Sequence, residues 1–181
     1  MEPQPKVVEL LRKLAALLDA SGVKYAVIGD LALGPRGWPR GTVDVDFLLH
    51  EDFIERVREL LRIHGAQVVS EDEEFSSYLA ELTRIDFQHA RREISLGMLD
   101  RAERVSYGDQ PIPVIQAEDL IGLKIQAIHN NPTRLKDVTD IHELLKANWG
   151  KLDLERVRNY FRLFNRENDL DGLLRLADPN R

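Results

Sequence analysis

The sequence predicts an α+β fold, α/β-like in its first part, in which a strand-containing core is followed by a purely helical region. Three observations predict it. Up to residue 116, apolar runs with a period of two alternate with stripes at three- and four-residue steps. From residue 118 onward only the helical period remains, so the two kinds of structure are segregated. No internal repeat or low-complexity linker interrupts the 181 residues, a length that suits one solid core or a compact domain with a small helical appendage. Residues 1–116 therefore read as the core, and residues 117–181 as a helical region packed on it.

Val7, Leu10, Leu11, Leu14, Leu17 and Leu18 form the stripe of an amphipathic helix, which Ser21-Gly22 ends. Residues 24–28 are a short run of strand formers. Gly29-Asp30 turns that run into a brief helical segment, stopped by Gly34-Pro35 and Gly37. A strand follows at 42–49. Phe53, Ile54, Val57, Leu60, Leu61 and His64 then mark a second amphipathic helix, closed by Gly65. Strands are predicted at 67–70, 75–79 and 82–89, and a hairpin pairs 104–107 with 112–115 around Gly108-Asp109. Pro111 and Pro113 place the last of these at a sheet edge, because proline has no N–H for a ladder. Helices close the chain at 118–130, 132–147, 152–164 and 169–177.

Composition excludes several chemistries. The absence of cysteine removes disulfides, thiolate metal sites and cysteine nucleophiles. His50, His64, His89, His129 and His142 fall in different segments without ligand spacing, so any metal should be bound by oxygen. A net charge of -6 opposes a broad grip on a nucleic-acid backbone, though not a local basic cleft. The start, MEPQPKVVELL, carries no apolar signal region, and no run approaches the ~18–20 apolar residues of a membrane span. The expectation is a cytoplasmic protein without a membrane partner.

Chemistry concentrates in Asp44-Val45-Asp46. A strand throws Val43, Val45 and Phe47 to one face and both carboxylates to the other. An acidic pair on a β-branched and aromatic strand is a candidate site for a hard divalent cation. A solvated strand face or pairing with a loop are the other readings. Asp169-Leu170-Asp171 has the same spacing and reads as a helix start, so spacing alone makes no site. Asp86 adds a third carboxylate, alternating with Ile85 and Phe87 and sharing a face with Arg84 and Gln88. If the two strands are neighbours, three carboxylates converge and would hold one or two Mg²⁺ ions bridged to a triphosphate. Otherwise Asp86 pairs with Arg84 or another surface arginine.

Residues 27–49 resemble the signature of the nucleotidyltransferase superfamily that includes DNA polymerase β: an apolar strand, a glycine turn, a helical stretch and Asp-x-Asp on a strand. The narrower resemblance is to the small bacterial branch containing the abortive-infection type II toxin nucleotidyltransferases. It is carried by Ile28-Gly29-Asp30-Leu31-Ala32, Gly37, Pro39-Arg40, Thr42 and Asp44-Val45-Asp46-Phe47-Leu48. Two later blocks extend it, Asp119-Leu120-Ile121-Gly122-Leu123-Lys124 and Lys136-Asp137-Val138-Thr139-Asp140-Ile141, so that it covers most of residues 23–146. The resemblance implies a short mixed sheet flanked by helices, with Asp44, Asp46 and Asp86 as catalytic carboxylates and metal ligands. Asp86 would act as the general base or position it. Gly29, Asp30, Arg40, Thr42 and Lys124 would bind the nucleotide, the helix N-terminus near Gly29 adding backbone donors. The cofactor would be Mg²⁺ or Mn²⁺ and the donor an NTP. The acceptor would be a hydroxyl on a small molecule, a protein or a tRNA end, and the protein a homodimer or the partner of an antitoxin.

Four residues are open on their own chemistry. Lys124 falls near the centre of the apolar face of its helix, so it either snorkels outward or reaches into a polar cleft, where phosphates or the acidic triad would partner it. Asp137 and Asp140, one turn apart, serve either salt bridges or substrate. Asp30 stands where the superfamily has Gly or Ser. It is either a helix N-cap or a fourth carboxylate whose sign opposes phosphate. The expected function is metal-dependent transfer of a nucleoside monophosphate; the alternative is a weak or inactive member of the fold serving as a binding module.

Overall fold

The computed structural model describes residues 5–179, and no helix among them is long and apolar enough to cross a membrane. They form two compact units. One comprises the chain up to Ala32 together with Pro39–Ile115, and the other Leu33–Trp38 together with the chain from Gln116 onward.

The first unit is built on seven strands: β1 (Tyr25–Val27), β2 (Asp44–His50), β3 (Gln67–Glu71), β4 (Phe75–Ala80), β5 (Thr83–Ala90), β6 (Glu103–Tyr107) and β7 (Gln110–Val114). They form one mixed sheet in the order β3-β4-β5-β2-β1-β7-β6. β2 lies inside it, parallel to β5 and antiparallel to β1. Val45, Phe47, Ile85 and Phe87 are fully buried on one face, where the Phe47 and Phe87 rings stack at 5.2 Å. Helix α1 (Pro5–Ala20) covers this face, and the Tyr25 hydroxyl donates to the Ala15 carbonyl on it. The brief helix α2 (Gly29–Leu33) and helix α3 (Ile54–Ile63) fall where their apolar spacing places them. Val43 departs from its predicted burial: it precedes β2 and is exposed.

Two further features differ from expectation. β7 is an interior strand, not an edge, since β6 lies outside it. Gly108-Asp109 is a two-residue turn with φ +70° at the glycine, so Tyr107 and Gln110 form a hydrogen-bonded pair and Pro111 and Pro113 fall at the alternate positions. Their missing N–H groups therefore face away from β6. On that other side β1 pairs only through Val27 and Val114, so no ladder bond is lost. Helix α4 (Glu93–Asp100) is absent from the sequence reading. Ile94, Leu96 and Met98 alternate as in a strand, and Gly97 interrupts any helical pattern.

The second unit is helical: α5 (Ala117–Asn130), α6 (Leu135–Ala147), α7 (Leu154–Leu163) and α8 (Glu167–Ala177). α6 starts three residues later than predicted, because Asn131 accepts from the Thr133 amide and opens a turn. Gly122 on α5 lets the ring of Tyr160 from α7 approach so closely that a Cβ would lie 2.8 Å from it, and the Tyr160 hydroxyl donates to buried Asp119 at 2.6 Å. Asp169 lies in the first turn of α8, as a helix start should, and pairs with Arg166, while Asp171 pairs with Arg158.

The β4–β5 hairpin closes through Glu81 (φ +50°) and Leu82 (φ +65°). Left-handed backbone costs an L-residue about 1–2 kcal/mol, and hairpins of this kind favour Asn-Gly. Leu82 is 95% exposed, so packing does not offset the strain, and the Glu81 contact to Lys13 is an exposed pair of little weight. Replacing Glu81-Leu82 by Asn-Gly should raise the unfolding free energy by about 1 kcal/mol, read as a higher urea midpoint at unchanged slope. An unchanged or lower midpoint would contradict a strained turn.

Candidate functional site

The acidic face follows from strand register. In the parallel β2–β5 pair Asp46 lies opposite Asp86, and Asp44 lies opposite Arg84. Adjacent strands are about 4.8 Å apart and same-face neighbours on one strand about 6.6 Å apart, so the three carboxylate-bearing residues occupy one small patch. All three side chains are half-buried. The expectation that the two acidic strands are neighbours is met.

The end of β1 supplies the turn beside this patch. The Ile28 amide donates to the Asp46 carbonyl at 3.0 Å, holding Gly29 against Asp46. Gly29 has φ +64°, and a Cβ there would lie 2.2 Å from Asp46 Oδ2. Both the conformation and the space demand glycine. Helix α2 begins at Gly29, whose φ is +64°, and Asp30 sits inside its first turn. Asp30 is thus not the N-cap residue that one sequence reading made it. The Thr42 hydroxyl accepts from the Asp44 amide at 3.3 Å and so fixes the entry into β2. Arg40 is half-buried two residues before it.

Asp86 is shared between the acidic face and an ion pair. It shares the face of Asp44 and Asp46, and its Oδ1 is bonded by Arg84 Nε at 2.8 Å. Ser77, facing Asp86 from β4, donates to the same oxygen and accepts from Arg84 Nη2 at 3.0 Å. The hydrogen bond to Asp86, then the charges of Asp86, Asp44 and Asp46, raise the Arg84 pKa above its ordinary value. Ser77 was missed by sequence reasoning. It lies on a separate strand, and only the β4–β5 register brings it to Asp86. Among the described residues no set of three or more His, Asp or Glu is gathered as a formed metal cage. The donors available, carboxylate oxygens without sulfur or imidazole, nevertheless fit a hard cation such as Mg²⁺ or Mn²⁺.

Lys124 belongs to the helical unit. Its ammonium is 7% exposed and donates to Asp137 Oδ1 at 2.9 Å and Asp140 Oδ2 at 2.8 Å. These partners are α6 carboxylates, since Asp137 and Asp140 lie one turn apart and both face α5. Burial pushes the Asp137 carboxyl up. The Arg134 hydrogen bond and the Lys124 ammonium outweigh this and hold it below the ordinary range. Asp140 Oδ1 accepts from the Trp38 indole at 3.2 Å, a contact no spacing in the sequence signals.

Lys124→Met should destabilise the protein by about 3–5 kcal/mol near neutral pH, since it strands buried carboxylates. A depressed carboxyl stabilises the fold above its unfolded pKa of about 3.9, and that contribution is lost as pH falls through the folded value. In the variant the burial of Asp137 is left without the ammonium, so its carboxyl is more readily protonated. The gap between wild type and variant should therefore shrink on acidification in urea titrations. A gap independent of pH would contradict the buried ion cluster. Gly29→Ala should cost about 2 kcal/mol or more, and a melting temperature equal to wild type would contradict the Gly29–Asp46 contact.

Known proteins share this fold. No protein of curated function matches the sequence at a significant level. Among solved structures, the protein is similar to ANT(2")-Ia in complex with adenylyl-2"-tobramycin (TM-score 0.71, 19% identity, covering 87% of this chain and 96% of that one). It is similar also to the lincosamide antibiotic adenylyltransferase LnuA with lincomycin bound (0.57, 17%, 80% and 98%). A third is an antigenic nucleotidyltransferase-like protein from Paracoccidioides brasiliensis (0.59, 18%, 97% and 95%). At these identities the likeness establishes the nucleotidyltransferase fold. Residues 5–179 match a family described as uncharacterised nucleotidyltransferases, and the chain belongs to that family.

Proposed function

We propose that the acidic face of β2 and β5 transfers a nucleoside monophosphate from an NTP to an acceptor hydroxyl, with Mg²⁺ or Mn²⁺ held by Asp44, Asp46 and Asp86. The observation that carries this is the register that sets Asp46 opposite Asp86, with Asp44 on the same face and Gly29 against Asp46. When bound, the metal neutralises charge that develops on the α-phosphate and the leaving pyrophosphate. Gly29, lacking a side chain, makes room for the Asp46 carboxylate at the turn that would receive the triphosphate. Thr42 sets the start of β2, and Arg40 and Arg84 supply positive charge that offsets Asp30. Asp86 takes the acceptor's proton, or orients the group that does, while the acceptor oxygen bonds the α-phosphorus. The bond to the bridging oxygen breaks and pyrophosphate leaves. Ser77 and Arg84 orient Asp86 from the other side.

The acceptor favoured here is a small hydroxylated molecule. The net charge of -6 opposes a long nucleic acid. ANT(2")-Ia and LnuA, matched over nearly their whole length, are described with an adenylylated and a bound antibiotic respectively. A protein or tRNA end are the competing acceptors. A second reading, a non-catalytic binding module, draws on Asp30 and on the engagement of Asp86 by Arg84.

Each labelled NTP, incubated with Mg²⁺ and a panel of small hydroxylated acceptors, tRNA and protein, should label a small molecule. Asp44→Asn and Asp46→Asn should each reduce labelling by about 100-fold or more. Their melting temperatures should stay close to that of wild type, since relief of like-charge repulsion is set against the lost attraction to Arg84. No labelling, together with no Mg²⁺-dependent NTP binding by calorimetry, would sink the catalytic reading in favour of the binding module.

A further inference from the structure

We infer that Phe75 and Leu79 bind the acceptor, and that they select a hydroxyl carried on a ring with a broad C–H face. This rests on the transfer proposed above and adds to it the place and class of the acceptor. All the residues concerned belong to the sheet unit. Its strand order sets the parts of the reaction in a row: Gly29 at the end of β1, Asp44 and Asp46 on β2, Asp86 on β5, and then β4. In an in-line displacement the attacking oxygen and the leaving pyrophosphate stand on opposite sides of the α-phosphorus. With the triphosphate at Gly29 and the proton taken at Asp86, the acceptor comes from beyond Asp86, over β4.

Strand β4 is shaped for such a molecule. Ser77 bonds Asp86, so the period of two puts Phe75 and Leu79 on the same face, one on each side of Ser77. Their register partners on β5 are Gln88 and Arg84. An open strand face ordinarily carries polar residues, yet Phe75 is 49% and Leu79 36% exposed. Beyond β4, β3 is exposed along its whole length, so this side of the face opens to solvent. Four residues of strand separate the two apolar side chains by about 13 Å, and the small Ser77 between them leaves room for one ring. The start of β4 is firmly held. Asp72 Oδ1 accepts from the Glu74 and Phe75 amides at 2.8 Å each, and the Glu74 carbonyl accepts from the His89 amide at 2.8 Å. Apolar walls around a polar floor suit a ring that packs on Phe75 while its hydroxyl meets Asp86.

The test uses the full chain with Phe75→Thr, which keeps a strand former and removes the ring. Among small acceptors in the labelling assay, ring alcohols should be labelled in preference to glycerol. KM for such a ring alcohol should rise about tenfold in the variant, while kcat and KM for the NTP stay within about twofold. Leu79→Thr should act in the same direction and decides the matter if Phe75→Thr does not fold. A rise in KM for the NTP instead would put the nucleobase on Phe75; that result, unchanged KM values, or labelling of ringless acceptors alone would overturn the inference. If wild type transfers no nucleotide, the catalytic reading fails, and an amide NMR titration with benzyl alcohol and with glycerol still judges the surface. Benzyl alcohol should shift residues 75–79 in wild type and not in Phe75→Thr, and glycerol should shift them in neither. Absent or scattered shifts with benzyl alcohol would overturn the inference.

Discussion

The in-register parallel pairing of β2 with β5 is the constraint on which the rest of the sheet unit depends. It places Phe47 beside Phe87 in the core and Asp46 beside Asp86 on the opposite face in a single act. A slip of one residue would bury the carboxylates and expose the rings, so packing of the aromatic face enforces geometry on the acidic one. The neighbouring strands then add the finer parts. β1, antiparallel to β2, ends where Ile28 bonds the Asp46 carbonyl and Gly29 meets its side chain. β4 brings Ser77 to Asp86 and Arg84.

The helical unit has an organising interaction of its own, and it is also carried by a motif. In Asp119-Leu120-Ile121-Gly122-Leu123-Lys124, Asp119 accepts from Tyr160, Gly122 seats the ring of that tyrosine, and Lys124 binds Asp137 and Asp140. One helix thus fastens α7 with its first turns and α6 with a buried charge cluster. Such a cluster costs desolvation, and its worth lies in register as much as in stability, since a buried ammonium accepts few arrangements of its partners. Trp38 joins the cluster through Asp140, which ties the turn between α2 and β2 to the same network.

The elements of the fold were largely legible because their signals are local: three- and four-residue stripes for α1 and α3, alternation for β2 and β5, Gly108-Asp109 for the last hairpin. α4 was not, since Ile94, Leu96 and Met98 alternate like a strand and the helix gains its buried side from Met98 and Leu99 only in the folded unit. The interior place of β7 was hidden too, because two prolines argue for an edge until one knows that β1 pairs with it at a single residue. At the site, Asp44, Asp46 and the face of Asp86 followed from the period of two. Adjacency did not, and with it went Ser77. The partner of Lys124 was obscured for a related reason: the apolar face of α5 shows that a charge must be compensated, and only α6 shows by what.

The central claim is that Asp44, Asp46 and Asp86 together hold the metal that carries a nucleotide. Asp86 now spends one oxygen on Arg84 and Ser77, so loading should redistribute that network rather than leave it in place. A crystal of the protein with a nonhydrolysable NTP and Mn²⁺, read by anomalous scattering, tests this most directly. The account predicts a manganese peak bonded by Asp44 and Asp46, a carboxylate oxygen of Asp86 turned toward it, and the triphosphate against Gly29. Nucleotide density away from Gly29, or nucleotide at Gly29 with no manganese on these carboxylates, would contradict it.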